Sequence, residues 1–262
     1  MQEPEKGNSM KYQDYRSIYN SLNTSKDIDK LTAKGYDNEL LVSVFTQKTT
    51  REVKKRFYIV KQNACRMLRE WKKGRTLLSI SEKWRFPPIL TAMFIFIEDG
   101  ASRKEFWEYI REPEKACSDE LREEIKEIRN ADLVYSPEGN ERQRQRGLWG
   151  ESKLHEWLDG QEITYRTEED LRGVYEKTPD ALLDKPMLYR GKKINWVESK
   201  ASFGDNTEFK FNSKKQLIPY TKLFGPGLVV YWLGCLDDLE EPEGIYVNDI
   251  SVMDDKLEYF TE

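Results

Sequence analysis

The stretch Ile194-Asn195-Trp196-Val197-Glu198-Ser199-Lys200 predicts a β-strand that ends in a charged pair. Its β-branched and aromatic residues are those that fit a pleated, half-buried surface. Side chains alternate across a strand, so Glu198 and Lys200 share one face and Ser199 points to the other. The segment Thr178-Pro179-Asp180 comes shortly before this strand, with Asp180 eighteen positions ahead of Glu198. The carboxylates of a Pro-Asp and of a Glu-x-Lys at this distance predict a metal-dependent phosphodiesterase site.

Glu-x-Lys is a weak pattern by itself, because a third of the residues are charged. It recurs at Glu52-Lys54, Glu124-Lys126, Glu151-Lys153 and Glu208-Lys210. Most of these pairs lie in helical patterns, where residues i and i+2 do not face each other. Glu208-Phe209-Lys210 would suit a strand, but no Pro-Asp leads into it. The pair Glu198 and Lys200 is therefore the favoured one.

Two carboxylates, Asp180 and Glu198, are suitable ligands for Mg²⁺ or Mn²⁺, hard cations that prefer oxygen and keep several waters. Such a metal polarises a phosphate oxygen and activates water for attack. Lys200 would orient that water or stabilise charge on the phosphate oxygens. The alternative is structural: a sheet that carries a surface ion pair between Glu198 and Lys200.

Length and composition favour a folded protein of two domains, since 262 residues with 38% hydrophobic content can build two cores. No apolar run approaches the roughly 20 residues that a membrane helix needs. The three cysteines are odd in number and far apart, which argues against disulfides and against a zinc cluster. The expected location is intracellular: cytoplasmic in an archaeon, nuclear and cytoplasmic in a eukaryote.

Charge is distributed unevenly, although the net charge is only −4. Residues 48–86 hold thirteen Lys or Arg against three Glu, and residues 237–262 hold ten acids against one Lys. Such asymmetry indicates nucleic-acid contact together with an acidic face or tail. A well-solvated helix surface would also account for the basic segment.

Residues 1–110 predict a helical domain with two helix–turn–helix-like units. In the first, the apolar stretch 38–45 is followed by a capping box at Thr49-Thr50-Arg51-Glu52 and by an amphipathic basic helix that ends near Gly74. In the second, residues 77–84 precede a helix that Pro87-Pro88 opens and that is apolar nearly all round, so it is expected to be core. Phosphate contacts are expected from Arg51, Lys54, Lys55, Lys72, Lys73 and Arg75.

The rest of the chain predicts an acidic helical connector at 111–140 and an α/β domain at 141–262. That domain begins with a helix at about 142–159. Strands follow near 162–167, 180–183, 187–189 and 194–198, then a helix at 213–223 and strands at 227–233 and 244–247. This order predicts a mixed sheet. The predicted fold class is thus α+β with two domains, an all-α N-terminal part before an α/β core.

Further motifs in the C-terminal half resemble those of the PD-(D/E)xK nucleases, which share a restriction-endonuclease-like core. Glu151, in Gly147-Leu148-Trp149-Gly150-Glu151, resembles their first-helix glutamate. Gln216 and Tyr220 resemble the Gln-x-x-x-Tyr element of RecB-type nucleases. They share a helix face, although Pro219 would distort that helix. With Thr178-Pro179-Asp180 and the helical N-terminal half, the chain resembles the TPD-motif family of archaeal and eukaryotic proteins, and archaeal Holliday-junction resolvases over the C-terminal half only.

The resemblance implies a DNA-directed nuclease with Glu151, Asp180, Glu198 and Lys200 at its active site. It also implies Gln216 in the site, with Glu151 and the Ser199 carbonyl assisting Asp180 and Glu198 in holding the metal. Tyr220 would contact the substrate. A codanin-like partner is implied only if the chain is eukaryotic. A homodimer would suit a resolvase, because two symmetric nicks need two sites.

Several other residues carry open alternatives. Arg142, Arg144 and Arg146 lead into the helix that carries Glu151 and would meet phosphates, unless they form a plain solvated run. His155 would touch the metal or a phosphate, but a partly exposed helix histidine is the favoured alternative. Three tryptophans are expected in the core and not as base-stacking platforms: Trp149, Trp157 and Trp232.

The resulting hypothesis is a divalent-metal-dependent DNA endonuclease that acts on duplex or branched DNA. Because phosphate contacts position a protein without specifying sequence, structure-selective cutting is favoured over sequence-specific cutting. Two alternatives remain: an inactive DNA-binding scaffold with a nuclease-like core, and a helix–turn–helix regulator.

Overall fold

A computed structural model describes residues 9–260 and contains helices throughout, with all strands in the C-terminal half. The helices are α1 Tyr12–Ser21, α2 Ser25–Thr32, α3 Asn38–Lys61, α4 Ala64–Lys72, α5 Leu77–Trp84, α6 Pro88–Glu98, α7 Arg103–Arg111, α8 Asp119–Ala131, α9 Pro137–Asp159, α10 Glu168–Leu171, α11 Asn206–Asn212 and α12 Ile218–Phe224. The strands are β1 Tyr165–Thr167, β2 Ala181–Tyr189, β3 Lys192–Lys200, β4 Gly227–Tyr231, β5 Ile245–Asp249 and β6 Leu257–Tyr259. Between residues 9 and 260, no helix is long and apolar enough to cross a membrane.

The chain forms two compact units that are interleaved along the sequence. The helical unit contains residues 22–35 and 44–144, and the sheet unit contains residues 9–21, 36–43 and 145–260. The sequence predicts three consecutive segments instead. The N-terminal helix joins the sheet unit through long-range contacts: Tyr15 stacks on Phe203 and its hydroxyl donates to Asp205. Such contacts have no local sequence pattern.

An apolar core in the helical unit is formed by residues of α3, α4, α5, α6, α7 and α8. The segment predicted as a connector belongs to this core, because Ile125 and Ile128 of α8 are buried in it. Glu124, on the same helix, accepts hydrogen bonds from the backbone N–H of Leu77 and the indole of Trp71. The many acidic residues of α8 led to the prediction of a connector, although the helix also carries an apolar stripe that packs into this core.

The predicted helix start at Thr49 is wrong, because α3 continues through this position without a break. The chain bends instead at residues 62–63, before α4 begins. The hydroxyl-x-x-Glu pattern is therefore an interior sequence of a long helix. The second predicted helix pair is confirmed: α5 ends at Trp84, its C-cap Arg85 has the left-handed conformation (φ 47°), and α6 begins at Pro88. Apart from its ends, α6 is buried, as expected for a core helix.

The sheet has the strand order β1-β2-β3-β4-β5, with β6 paired to β2 on the far side of its bulge. The pairs β1–β2, β2–β3 and β2–β6 are antiparallel, while β3–β4 and β4–β5 are parallel. The prediction of an α+β protein with a mixed sheet is confirmed. The two strand pieces predicted before β3 are one strand, β2, whose pairing is irregular between Leu182 and Met187.

Each face of the sheet is covered by a different layer. On one face Leu154, Trp157 and Leu158 of α9 pack with Val197 of β3 and Val230 of β4. On the other face the segment from α11 to α12 packs with Trp196, Val229 and Tyr231. Because side chains alternate along β3, Glu198 and Lys200 lie on the α12 side and Ser199 on the α9 side.

The prediction of a single continuous helix at 213–223 is wrong, because the helical segment starts earlier and is interrupted. Residues 206–224 comprise α11, a π-helical turn at Ser213–Leu217, and α12. In the turn, the backbone N–H of Ile218 bonds to the carbonyl of Ser213, five residues back. Pro219 follows near the start of α12, where the missing N–H is tolerated.

Candidate active site

Asp180 and Glu198 are brought together by the antiparallel pairing of β2 and β3. Ala181 pairs with Val197, so the residues one step further on, Asp180 and Glu198, are cross-strand neighbours. The backbone N–H of Asp180 donates to Glu198 Oε2 at 3.2 Å, and the backbone N–H of Ser199 donates to Asp180 Oδ2 at 2.8 Å. These reciprocal bonds hold both carboxylates at the carboxyl end of β3.

Lys200 lies on the same face as Glu198, as its position in the strand predicts. Its Nζ atom is 2.6 Å from Glu198 Oε1 and 2.9 Å from Gln216 Oε1. Glu198 is only 2% exposed and the Lys200 side chain 18%, so the ion pair is largely buried and is not the surface pair of the structural alternative. Two acceptors therefore hold the ammonium group beside the carboxylates.

Gln216 is positioned by the π-helical turn, and Tyr220 lies one turn further on in α12. The Gln216 amide donates to the Tyr220 hydroxyl at 3.4 Å, and the Tyr220 ring packs edge-on against Trp196. Tyr220 is buried, so it contacts the site through Gln216 and presents almost no surface to a large ligand. Single-turn π bulges in helices are frequent at functional sites.

The carboxyl groups of the pair are both shifted toward their protonated forms. Burial, followed by the negative charge of Glu198, raises the pKa of the Asp180 carboxyl to about 8. Burial also raises the pKa of Glu198, against the opposing effect of Lys200. One lysine thus faces two closely spaced carboxylates, and their repulsion is only partly compensated.

The donor set fits a hard divalent cation that keeps part of its water shell. Over residues 9–260, no three His, Cys, Asp or Glu side chains are grouped so that they could hold a metal ion. Mg²⁺, however, is commonly held by one or two carboxylates plus waters and substrate phosphate. Asp180 and Glu198 supply those two carboxylates. The N–H of Ser199 donates to Asp180 and its hydroxyl accepts from Trp232, so the main-chain carbonyl is the group of Ser199 that could serve as a ligand.

Glu151 reaches this end of the sheet from the opposite face. The residue before it, Gly150, lies so close to β3 and β4 that an added Cβ would be 2.8 Å from the Trp232 ring and 3.0 Å from Ser199 Oγ. Glu151 itself is exposed, and its charge contributes to the raised pKa of Asp180. Gly147, the glycine of the Gly-x-x-x-Glu pattern, has open space around it.

The basic residues predicted to contact nucleic acid lie mainly in the helical unit. Lys54 and Lys55 are exposed on α3, and Arg51 is partly buried there. Lys72, Lys73 and Arg75 are exposed in and after α4, where Lys72 pairs with Asp99 and Arg75 with Glu70. Arg142 and Arg144 are exposed on α9, and Arg144 pairs with Glu141. Arg146 belongs to the sheet unit, where its largely buried side chain faces Glu39 at 3.7 Å.

The aromatic predictions have mixed outcomes. Trp157 and Trp232 are buried, as predicted, but the core prediction for Trp149 is wrong because this residue is 38% exposed. His155 stacks on Tyr165, 5.5 Å between ring centroids, which agrees with a partly exposed helix histidine. The other strand candidate, Glu208-Phe209-Lys210, lies in α11 and is excluded as a strand pair.

Sequence analysis missed two residues that build the site. Gly150 is needed for the close approach of α9, and Trp232 donates its indole N–H to Ser199 Oγ at 2.8 Å. The glycine was visible one position before Glu151, but its neighbours in space come from residues 199–232. Nothing local in the sequence indicates that contact.

Fold and site together define an α+β protein in which a carboxylate pair and a lysine meet at the carboxyl end of a mixed sheet. Residues 117–256 match the family described as "Protein of unknown function TPD sequence-motif". The chain belongs to this TPD-motif family. The match includes every strand of the sheet except β6, and all of Asp180, Glu198, Lys200 and Gln216.

Similar proteins are known from vertebrates under the name CDAN1-interacting nuclease 1. The Danio rerio protein is 31% identical over 183 residues, which are 66% of this chain and 61% of that protein. The Homo sapiens protein is 30% identical over 172 residues, 63% of this chain and 61% of that protein. In Xenopus laevis the identity is 40% over 99 residues, or 37% and 33% of the two chains. The matches thus span less than two thirds of these relatives, and no solved structure matches at a significant level.

Proposed function

We propose that this protein is a divalent-metal-dependent DNA endonuclease of the PD-(D/E)xK type, with its active site at Asp180, Glu198 and Lys200. The observation that carries the proposal is the cross-strand carboxylate pair with Lys200 beside it. The buried position of the pair, the mutual repulsion of its two carboxylates and the oxygen-only donor set all support a cation-assisted reaction on a phosphate. The word nuclease in the name of the similar vertebrate proteins supports the same reaction class.

In this mechanism the side chains hold the metal, orient the attacking water and stabilise charge on the phosphate. Asp180 and Glu198 would hold Mg²⁺ or Mn²⁺, assisted by Glu151, whose charge acts on Asp180. When bound, the metal polarises a phosphate oxygen and promotes the ionisation of water. Lys200, kept in place by Glu198 and Gln216, would orient the attacking water and stabilise negative charge on the phosphate.

The basic surface of the helical unit supports a nucleic-acid substrate. Exposed cations on α3 and α4 would contact phosphates, which gives affinity without sequence preference. Selectivity for DNA structure over DNA sequence follows from this proposal. The name of the vertebrate relatives also states an interaction with CDAN1, and a codanin-like partner is proposed for this chain only if it is eukaryotic.

The test is cleavage of labelled single-stranded, duplex, flap and four-way-junction DNA with Mg²⁺, Mn²⁺ or EDTA. Wild type is compared with Asp180→Asn, which keeps the size of the side chain, and with Lys200→Ala. Lys193→Ala, on the same strand but far from the carboxylates, is the matched control. We expect metal-dependent cutting that falls at least about 100-fold in both site variants and is unchanged in the control.

Three outcomes would contradict the proposal. Equal cutting by all variants would place the activity elsewhere or in a contaminant. Salt-sensitive DNA binding without any cutting would favour the inactive scaffold, and enrichment of one sequence from random duplexes would favour the regulator.

A further inference from the structure

Trp149 differs from the buried tryptophans of the sheet unit because it is exposed in the middle of a long helix. It leaves 38% of its surface to solvent, whereas Trp157 and Trp232 leave 3% and 1%. Its neighbour Leu148 is 46% exposed. Burial in the core therefore does not account for an indole at this position.

The ring of Trp149 is held in place although it is exposed. It packs edge-on against Trp232, with 6.3 Å between ring centroids and 73° between ring planes. Trp232 is fixed in turn, because its indole N–H donates to Ser199 Oγ at 2.8 Å. Such an edge contact covers only part of a ring and leaves aromatic surface available for stacking.

Trp149 lies at the same end of the sheet as the carboxylate pair. Gly150 brings α9 within van der Waals distance of Ser199 and Ala201, so the backbone of Trp149 passes close to the end of β3. Glu198 and Lys200 flank Ser199 on the opposite face of the strand. A chain that crosses the carboxyl edge of the sheet would therefore meet the carboxylates on one side and the indole on the other.

We propose that Trp149 is a stacking platform for an unpaired nucleobase next to the phosphate that is cut. This inference rests on the proposed function and deepens it by naming the substrate class. Bases within a continuous duplex already stack on both neighbours, whereas a base in a single strand or at a branch offers a free face. The protein would accordingly select DNA with unpaired nucleotides at the cut. Stacking on an aromatic side chain tolerates any base, in agreement with structure-selective cutting.

The experiment measures DNA affinity in the Asp180→Asn background without divalent metal, so cutting cannot interfere. Trp149→Ala is compared with Trp149→Phe, which keeps an aromatic face, and with Leu148→Ala, which removes the exposed apolar side chain next to it. Fluorescence anisotropy with a single strand and with the matched duplex gives dissociation constants at several salt concentrations.

We expect Trp149→Ala to weaken single-strand binding about 5- to 150-fold, which corresponds to the energy typical of base–aromatic stacking. Trp149→Phe should retain most of the affinity, and Leu148→Ala should stay within about twofold. Duplex binding and the dependence on salt should not change, because no phosphate contact is removed. Loss of the same size in Leu148→Ala, or on duplex as well as single strand, would overturn the inference.

A second readout does not depend on how Trp149→Ala folds. Single-stranded oligothymidine should quench more tryptophan emission in wild type than in Trp149→Phe, because a stacked base quenches the indole it covers. Equal quenching would contradict the role of Trp149. If wild type nevertheless cuts DNA, the proposed nuclease activity would be retained without the stacking platform. Absence of cutting together with Trp149-dependent single-strand binding would instead refute the nuclease and retain the platform.

Discussion

Lys200 shows how much a single side chain contributes to this site. It is the one cation hydrogen-bonded to either carboxylate within the part of the chain that the structure describes, and it also contacts Gln216. The sequence predicted its face and its proximity to Glu198 from strand periodicity alone. It did not predict that the carboxylates are buried, which raises the pKa of both.

At the residue scale, the three cysteines should react differently with a thiol reagent. Cys65 and Cys117 are exposed, whereas Cys235 is buried and burial raises the pKa of its thiol to about 12. Since the thiolate is the reactive form, native protein should release two equivalents in a colorimetric thiol titration and the third only after unfolding. Cys235→Ser should remove the slow equivalent. Three fast thiols in native protein would contradict the buried placement of Cys235.

Glu70 should make the stability of the protein depend on pH. The hydrogen bond from Lys83 at 2.6 Å lowers the pKa of the Glu70 carboxyl, and Arg75 and Arg66 add to this effect. A carboxylate with a lowered folded-state pKa stabilises the fold above its unfolded pKa, and this contribution is lost as the pH falls through the folded pKa. We expect Glu70→Gln to cost about 0.5–1 kcal/mol at pH 7 and nothing below that folded pKa.

Urea denaturation at neutral and acid pH measures this difference. Glu82→Gln removes an exposed carboxylate of the neighbouring helix and is the matched control. A cost for Glu70→Gln that stays constant down to the lowest pH would mean that the ion pairs of Glu70 do not carry it.

At the scale of elements, the contact between α9 and the sheet depends on one glycine. An alanine at Gly150 would overlap the Trp232 ring and crowd Ser199, whereas an alanine at Gly147 would meet nothing. We expect Gly150→Ala to destabilise the protein by about 1–3 kcal/mol, as overpacking does. Gly147→Ala should stabilise it by about 0.5–1 kcal/mol, because glycine is a poor helix former.

Denaturant titration of the two variants is a direct comparison, since they lie three residues apart in the same helix. If Gly150 serves only the fold, cutting by Gly150→Ala should be normal at a temperature where it is folded. If it also positions Glu151 and Trp149, cutting should fall there as well. Equal stability of both alanine variants would refute the close approach of α9.

The elements differ in how much of them could be predicted. β3, α5 and α6 follow from periodicity, β-branched residues and Pro87-Pro88, so local patterns were sufficient. The helix start at Thr49 was mispredicted, because a capping box is the same pattern whether or not the preceding turn is already helical. The π-helical turn before Pro219 was also missed, since the flanking helices have only seven residues each and are too short for a phase shift in the hydrophobic pattern to be recognised.

At the scale of the whole molecule, the basic surface belongs to the helical unit. Lys54 and Lys55 are exposed on α3. Reversing both charges should weaken DNA binding and make the plot of log affinity against log salt concentration less steep by about two units. The reversal of Arg103 and Lys104, exposed on α7 of the same unit, is the control for net charge. Affinity measured between about 50 and 200 mM salt tests this expectation. An equal loss in both double variants would indicate a general charge effect without a defined surface.

The division into units also belongs to this scale. Residues 9–21 and 36–43 join the sheet unit through contacts such as Tyr15 to Asp205 and Ser43 to Phe203. These partners are about 160 to 190 residues apart in the chain. Composition shifts along the sequence could indicate a helical half and a sheet half, but they contain no information on such pairs.

The sequence by itself determined the α+β class, the mixed sheet, the strand with Glu198 and Lys200, and the pairing of that motif with Asp180. These features depend on periodicity and on short patterns, in which neighbouring residues act together. The tertiary structure decided the burial of the carboxylates, the approach of α9 at Gly150, the π-helical position of Gln216 and the exposure of Trp149. Each of these depends on side chains that meet only after folding, because desolvation and steric contact are properties of the packed molecule and not of any local stretch.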